Sequence, residues 1–428
     1  MLKKALALIL LISSYDSVFG QNEIPYSRYG LGTLLQPEPA FLRGWGNQSA
    51  AFHNAYNLNF INPASYGYLT NTVFEAGLYG STLNIKTTAD SAARFGDGGI
   101  ATLALGFPVI KNKMGLSIGI TPFSQVNYDI LQSNDSTPEL GQTANYFQGN
   151  GGLYNFYLGT GYKWNNFSLG INASYLFGKL SYSTILAFPD SSNTFNTLRD
   201  EARFVGGLVF TGGLQYRLNL NKDKGYALDF GITGNLKSNV NATRDLMYVR
   251  FTYVNNSGIN TGVPNPFDTI SNVSDGKGAI VLPVRFSAGI IFSKTSHYMI
   301  GVNYEFGKWS DYTSFSEKDF TADRWKLSSG IQWVPNYKSY TDYLKVVAYR
   351  AGFSMGKNYL QLDGKDLPEY EADFGIGFPL KRVLSEISLS GELSHIGKLS
   401  ENPLTISTFR ITLGVTLNDR WFQKRKFD

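Results

Sequence analysis

The sequence predicts an all-β protein, a transmembrane antiparallel β-barrel of about 14 strands. Three observations lead to this fold class. Long segments alternate apolar and polar residues with a period of two, which gives a strand one apolar and one polar face. The joins between the segments alternate between short and long. No apolar run approaches the ~20 residues that a membrane-spanning helix needs.

The composition fits a barrel better than a set of soluble domains. A chain of 428 residues could form two or three soluble domains. It has 45 Gly, 27 Tyr and 30 Phe, and its 17% of charged residues is below the ~25% of typical soluble domains. The absence of cysteine excludes disulfides and thiol chemistry. The net charge is only +5, and the sequence indicates no concentrated basic face, so we expect no nucleic-acid partner.

Residues 1–20 have the features of a secretory signal peptide. A basic start is followed by an apolar run over 5–12 and by the small residues Val18 and Gly20. An uncleaved anchor helix is the alternative, but the run is short and polar residues follow it. We therefore expect cleavage before Gln21 and export to the outer membrane of a Gram-negative cell.

The segments with two-residue alternation number about fourteen. Their approximate spans are 71–86, 98–109, 114–130, 149–164, 166–182, 201–220, 225–250, 279–293, 297–310, 320–334, 344–360, 367–379, 385–397 and 403–417. In the eighth segment we expect one continuous apolar face, formed by Ile280, Leu282, Val284, Phe286, Ala288, Ile290 and Phe292. Many segments exceed the five or six residues usual in globular proteins and suit tilted membrane-crossing strands, which need ~9–11 residues.

The joins predict which end of the barrel faces out. Short joins such as 111–113 and 165–166 are expected to be periplasmic turns. The polar stretches 131–148, 183–200 and 251–278 are expected to be long outer loops. The barrel is placed at 71–417, followed by a basic periplasmic tail at 418–428.

Aromatic residues at the ends of the apolar faces support a lipid-facing exterior. Tyr154, Tyr162 and Trp164 share one face, and Trp325 and Trp333 flank aliphatic residues in another segment. A soluble β-sandwich would also have apolar inner faces. A sandwich of this length would need several domains, linkers and shorter strands, so we favour the barrel.

Residues for catalysis or metal binding are sparse. The three histidines, His53, His297 and His395, are far apart and have no ligand companion at short spacing. Motifs of hydrolases, metalloproteases and nucleotide-binding loops are absent. Ser296 precedes His297 in a predicted periplasmic turn, on the wrong side for most outer-membrane enzymes. We therefore expect no enzymatic activity, no cofactor and no metal site.

A leader of about fifty residues precedes the strands and contains Asn62, Pro63 and Ala64 just before the first strand. In this arrangement the chain resembles the FadL-type (OmpP1/FadL-like) outer-membrane transporters of hydrophobic compounds. The resemblance implies that residues 21–70 form an N-terminal hatch or plug inside the lumen, with Asn62-Pro63-Ala64 as its motif. The sequence stretches 24–32 and 411–428, near the two ends of the chain, look like the corresponding stretches of outer-membrane proteins of Bacteroidota.

The polar face carries ionisable residues that are candidates for the lumen. They are Arg203, Arg217, Asp229, Arg285, Glu305, Arg350, Glu371, Asp373 and Arg410. In one interpretation opposite charges pair and hold the wall and the plug together. In the other, some of them line a path for a ligand or an ion.

The sequence supports two main hypotheses about function and a third possibility. The resemblance implies passage of hydrophobic small molecules, fatty-acid-like or aromatic, with the hatch closing the lumen and outer-membrane lipid around the barrel. The alternative is a non-transport barrel that binds an envelope protein as a subunit of a secretion or assembly complex. An open porin is the third, but a filled lumen argues against it.

Overall fold

The computed structural model describes residues 24–88, 91–137, 141–188, 194–253, 264–380 and 385–419. The predicted signal peptide and residues 420–428 of the predicted basic tail lie outside the described residues. Within the described residues, fourteen antiparallel strands form one closed barrel, which confirms the predicted fold class.

The strands run in chain order around the barrel. They are β1 Thr72–Thr87, β2 Ala92–Ile110, β3 Met114–Thr137, β4 Gly141–Trp164, β5 Phe167–Ala187, β6 Asn196–Asn221, β7 Tyr226–Asn235 with Ser238–Tyr253, β8 Pro264–Leu282 with Arg285–Lys294, β9 Tyr298–Gly307, β10 Arg324–Trp333, β11 Ala348–Leu362, β12 Lys365–Pro379, β13 Glu386–Ile396 and β14 Leu404–Asp419. The barrel closes where β14 pairs with β1, from Leu404 opposite Thr87 to Asp419 opposite Thr72.

Short elements complete the described chain. Thr33–Leu34 is a two-residue strand paired with β3, and Thr313–Ser314 is paired with β8. The one-turn helix α1 spans Ala40–Arg43. The 3₁₀ helices are Pro25–Arg28, Pro63–Tyr68, Trp309–Asp311 and Tyr343–Lys345. Among the described residues, no helix has the length and apolar character needed to cross a bilayer.

The outer face of the barrel carries a band of large apolar side chains. On β4, Leu158 is 56% exposed and Trp164 is 71% exposed, whereas Leu153 is fully buried. Such alternation puts one set of side chains toward lipid and the other toward the interior. Trp164 and Trp333 are exposed and lie at strand ends, as expected of residues at a membrane interface.

The stretches expected to be long outer loops are largely strand. Residues 131–137 belong to β3, 141–148 to β4, 183–187 to β5 and 264–278 to β8. Their hydrogen-bond ladders continue beyond the apolar band, for example from Leu131 opposite Tyr146. Sequence alternation could not reveal these extensions, because both of their faces are largely polar. The 26 residues of β6 exceed the ~9–11 of a membrane crossing, so this side of the barrel projects beyond the membrane.

The predicted continuous apolar face over 280–292 is wrong. Ile280 and Leu282 are buried, whereas Phe286 and Ile290 are exposed to lipid. The face changes because β8 is interrupted at 283–284, where Pro283 has no backbone N–H to donate. The neighbouring strand β7 is interrupted at 236–237.

These two interruptions lie opposite one another. The strand pairs on either side are Asn235 with Arg285 and Ser238 with Leu282. Two residues of each strand therefore lie between regular pairs. We call residues 236–237 and 283–284 the β7–β8 break.

Residues 24–71, the N-terminal segment, lie against the inner face of the wall. Most of this segment from Ala40 to Leu69 is buried, apart from residues 53–57 and Ile61. At twelve described wall glycines an added β-carbon would lie within 3 Å of an atom of the segment. Eight of them, which lie on eight different strands, are called the glycine belt here: Gly115, Gly161, Gly170, Gly213, Gly231, Gly330, Gly352 and Gly375. The segment can approach the wall this closely because no side chain intervenes.

Two adjacent glycines of β6 provide a test of this contact. A β-carbon at Gly213 would collide with the Asn62 side chain, whereas one at Gly212 would meet nothing within 4 Å. We expect Gly213→Ala to destabilise the protein by about 1–3 kcal/mol through overpacking, and Gly212→Ala to have little effect. The midpoint of thermal unfolding, followed by circular dichroism in detergent, measures both. Equal midpoints for the two variants would contradict the close contact.

Candidate functional site

Asn62 caps the 3₁₀ helix Pro63–Tyr68. Its Oδ1 accepts a hydrogen bond from the Ala64 N–H at 3.1 Å, and its Nδ2 donates to the Ala50 carbonyl at 2.6 Å. The same Nδ2 lies 3.3 Å from the Ile232 carbonyl of β7. Pro63 occupies the first helical position, where a missing N–H costs nothing. Asn62 therefore links two parts of the N-terminal segment to the wall.

Polar side chains of the wall satisfy carbonyl groups of the N-terminal segment. Gln215 Nε2 donates to the carbonyls of Ala50 and Phe52, both at 3.0 Å. Asn172 Nδ2 donates to the Phe60 carbonyl at 3.0 Å. An irregular buried backbone needs such partners, because an unpaired carbonyl would carry its full desolvation cost. The polar inner face thus fixes the path of the segment.

The nine candidate lumen charges do not meet in one site. Arg203 Nε contacts Glu201 Oε1 at 2.6 Å in the part of β6 that projects outward. Arg350 Nη2 contacts Glu386 Oε1 at 2.7 Å near the opposite end of the barrel. The Arg410 guanidinium lies 4.5 Å from the centre of the Tyr79 ring. Five of the nine lie within 4 Å of a group of opposite charge: Arg203, Arg217, Asp229, Arg350 and Glu371.

Arg217 and Asp229 belong to a group around His53. Arg217 Nε lies 3.6 Å from Asp229 Oδ1, and His53 Nε2 lies 3.1 Å from the same oxygen. The His53 ring stacks on Tyr68 at 3.7 Å between ring centres. Burial lowers the pKa of His53, and the positive charges of Arg217 and Lys163 lower it further, against the opposing effect of Asp229. His53 is therefore held as a neutral ring that joins the N-terminal segment to the wall.

Glu371 and Asp373 form an acidic cluster with Glu392 of β13. One carboxylate oxygen from each lies within 4.8 Å of the others. Lys326 Nζ contacts Glu371 at 2.7 Å, and Arg43 Nη1 of the N-terminal segment contacts Glu392 at 3.0 Å. The sequence pattern did not single out Lys326 or Arg43. Lys326 could have been identified from the alternation along β10, which places it on the inward-facing side of the strand.

Arg285 and Glu305 line a cavity of about 230 Å³, the wall cavity. Its apolar lining includes Phe60, Ile61, Phe123, Phe306 and Trp309. Asn235 and Phe286, which flank the β7–β8 break, also line it. Arg285 donates to Asn235 Oδ1 at 3.2 Å and lies 5.1 Å from the Phe123 ring centre, so it covers one end of the cavity.

A second cavity of about 130 Å³, the acidic cavity, lies between the N-terminal segment and β12–β14. Tyr26, Glu371, Glu392 and Arg410 are among its lining residues. The two cavities share Leu34, Leu35, Gln36 and Arg324 as lining residues. They are therefore adjacent compartments along the inner face of the wall.

Solved structures of bacterial proteins share this fold. A FadL homologue of Pseudomonas aeruginosa aligns with a TM-score of 0.59 at 12% identity, covering 90% of this chain and 100% of that one. The toluene transporter TodX of P. putida aligns with a TM-score of 0.56 at 13% identity, covering 90% and 99%. At this identity the likeness concerns the fold alone, that of an outer-membrane β-barrel.

Comparison of the sequence with models of protein families identifies one family. The family model described as BamG matches residues 1–428, the whole of the sequence. No curated protein sequence matches the chain.

The neutral state of His53 predicts a pH dependence of stability. Its pKa is lower in the folded protein than the ~6.5 of an unfolded chain. The unfolded state therefore binds more protons just below pH ~6.5, and the contribution of His53 to stability decreases as the pH falls through that value. We expect His53→Gln to reduce the loss of thermal stability between pH 7.5 and 5.5, relative to the unmodified chain. His395→Gln, at an exposed position hydrogen-bonded to Ser407, is the control and should leave the loss unchanged. A pH profile that His53→Gln does not alter would contradict the assignment.

Proposed function

The chain belongs to the BamG family, and we propose that its barrel mediates the passage of hydrophobic small molecules, fatty-acid-like or aromatic, across the outer membrane. In this proposal the N-terminal segment is a hatch that closes the lumen, and Asn62-Pro63-Ala64 is the motif that fixes it to the wall. The site of action is the outer membrane of a Gram-negative cell, after removal of the signal peptide.

The wall cavity beside the β7–β8 break is the observation that carries the proposal. The cavity is lined by aromatic and aliphatic side chains together with a few polar groups, as is common for small-molecule sites. Its position gives an apolar molecule a direct course toward the lipid-facing surface. A water-soluble substrate would gain nothing from such an exit.

The two cavities suggest a route. A molecule that reaches the acidic cavity in the outer half of the barrel would next meet the residues shared with the wall cavity, Leu34 and Leu35 among them. From the wall cavity it would leave between β7 and β8. The N-terminal segment lines both compartments, so small movements of residues 34–36 would control passage.

The names of the structural neighbours support this substrate class. One neighbour is described as a toluene transporter, and CymD, with a TM-score of 0.50 at 13% identity over 89% of this chain and 99% of that one, as a monoaromatic hydrocarbon channel. Those descriptions concern those proteins. For this chain they favour an apolar substrate over a polar one.

The alternative function, a protein-binding subunit of an envelope complex, is supported by a different feature. Strands β3 to β8 continue beyond the apolar band as a hydrogen-bonded wall with polar residues on both faces. Substrate passage through the β7–β8 break does not require this projection. Isolation of the protein from native membranes tests the alternative: a stoichiometric envelope protein would favour it, and a lone barrel would favour transport.

A reversible crosslink tests the proposed exit. The chain has no cysteine, so Leu236→Cys with Val284→Cys introduces one pair across the β7–β8 break. Ile232→Cys with Ala288→Cys is the matched control, because these residues are regular partners on the same two strands. We expect the disulfide at the break to lower the uptake of a radiolabelled fatty acid or toluene at least severalfold, and reduction to restore it. The control disulfide should leave uptake unchanged.

Undiminished uptake with a fully formed disulfide at the break would exclude this exit. If the unmodified protein shows no uptake of either class of compound above a deletion strain, transport itself is excluded.

A further inference from the structure

A row of polar side chains crosses the lipid-facing surface of the barrel near the end from which β3 to β8 project. The strand register places its five members directly opposite one another on β12, β13, β14, β1 and β2, and they are Tyr370, His395, Ser407, Asn84 and Arg94. Ser407 is half-buried and the other four are exposed. Because directly opposite side chains on one face of a sheet are neighbours, these residues form one continuous strip, which we call the polar row.

The polar row lies at the edge of the apolar band. Two residues closer to the membrane centre, the outward side chains are Leu393 on β13 and Phe409 on β14, which are 53% and 38% exposed. In the other direction β13 ends at Ile396 and β1 ends at Thr87. The change from apolar to polar side chains over this short distance marks the boundary between hydrocarbon and lipid headgroups.

An open groove of about 320 Å³ follows this boundary across five strands, from β11 to β1. Its apolar lining includes Phe353, Leu393 and Phe409, and its polar lining includes Asn84, His395 and Ser407. His395 Nδ1 lies 2.9 Å from Ser407 Oγ, so these two side chains satisfy each other. The groove therefore combines apolar surface on the membrane side with polar groups on the headgroup side, which is the pattern of an amphiphile.

Two cations lie at the Asn84 end of the groove. Arg94 is directly opposite Asn84, and Lys86 is two residues further along β1 on the same face. Lys86 and Arg94 are thus diagonal neighbours, a separation that long side chains can bridge. Both are exposed, and neither side chain has an ion pair or a hydrogen bond within the described part of the chain. Two like charges in this position favour an anion between them.

The other charged groups beyond the polar row do not neutralise these two cations. Two acidic side chains are already paired with lysines, in the contacts Lys357–Asp366 at 2.7 Å and Lys398–Glu401 at 2.6 Å. Asp363 and Lys365, at the turn between β11 and β12, carry opposite charges and offset each other. The groups at this end of β11 to β14 therefore add no net charge.

Charged groups of the inner face are separated from the polar row by the wall. Asp97 and Arg410 line the acidic cavity inside the barrel. Glu371 also lines the groove, but its carboxylate is buried and lies 2.7 Å from Lys326 Nζ. Asp90, in the turn between β1 and β2, lies outside the described residues. Within the described residues, the positive charge beside the polar row is thus that of Lys86 and Arg94.

We infer that the groove and the two cations bind one phosphorylated lipid of the outer leaflet. Its acyl chains lie against Phe353, Leu393 and Phe409, and its phosphate lies between Lys86 and Arg94. Guanidinium and ammonium groups form charge-assisted hydrogen bonds with phosphate, and basic residues at a membrane surface attract anionic lipids. A soluble anion would leave the apolar side of the groove without a partner, so a lipid fits the whole surface better.

The inference rests on the location of the barrel in the outer membrane, which belongs to the proposed function, and on no step of transport. The lipid would lie across the strands that close the barrel, since Ser407 of β14 is the register partner of Asn84 of β1. A bound lipid would therefore also stabilise this closure.

Binding of monophosphoryl lipid A to the full-length protein in detergent tests the site. Native mass spectrometry measures the affinity, and the midpoint of thermal unfolding should rise when the lipid is added. We expect Lys86→Gln with Arg94→Gln to weaken binding about tenfold or more, because each basic residue at a membrane surface adds to the attraction of an anionic lipid. Removal of the phosphate from the lipid should weaken its binding to the unmodified chain to the same extent.

Lys179→Gln is the matched control. Lys179 is also an exposed lysine on the lipid-facing side of the wall, but it belongs to β5 and lies 5.3 Å from the centre of the Phe204 ring. This variant should bind the lipid as the unmodified chain does.

Three results would overturn the inference. In the first, the unmodified protein forms no complex with the lipid. In the second, the double variant binds the lipid as tightly as the unmodified chain does. In the third, removal of the phosphate weakens binding to the double variant as much as to the unmodified chain, and the phosphate then lies elsewhere. Since none of these measurements involves uptake, a negative result here leaves the transport proposal standing, and a failure of transport leaves the lipid site standing.

Discussion

The close approach of the N-terminal segment to the glycine belt is the constraint on which the rest of the structure depends. At Gly231, Gly330 and Gly352, backbone of the segment occupies the space where a side chain of the wall would otherwise stand. The belt spans eight strands, so the segment is held from many sides of the barrel. A barrel with ordinary side chains at these positions could not enclose this segment along the same path.

The polar inner face follows from the same constraint. Because the segment has little regular secondary structure, its carbonyl groups need donors from the wall, and Gln215, Asn172 and Thr233 supply them. Charged side chains add local contacts of opposite sign, such as Arg43 with Glu392. Where the segment lies away from the wall, cavities remain, and the wall cavity lies next to the place where β7 and β8 lose their regular pairing. The proposed closure of the lumen and the proposed passage of a substrate would therefore both depend on how the N-terminal segment packs against the wall.

The sequence predicted the features that depend on alternation along a single strand. The fourteen strands and their lipid-facing aromatic residues can be predicted from local patterns, whereas the same alternation wrongly predicted one continuous apolar face across Pro283. The projection of β3 to β8 could not be predicted, because residues 131–148 and 183–200 do not keep a regular alternation of apolar and polar residues. The acidic cluster was equally inaccessible. Glu371 and Asp373 were predicted to face the lumen, but their convergence with Glu392, Lys326 and Arg43 depends on strand register and on the path of the N-terminal segment.

The central claim is that the N-terminal segment fills the barrel and leaves no continuous aqueous channel. Single-channel conductance of the unmodified protein in a planar lipid bilayer tests it most directly. A filled lumen predicts no sustained ion current at moderate voltage, because the wall cavity and the acidic cavity, about 230 and 130 Å³, are small and bounded by the segment. A large, steady current of the porin type would contradict the account.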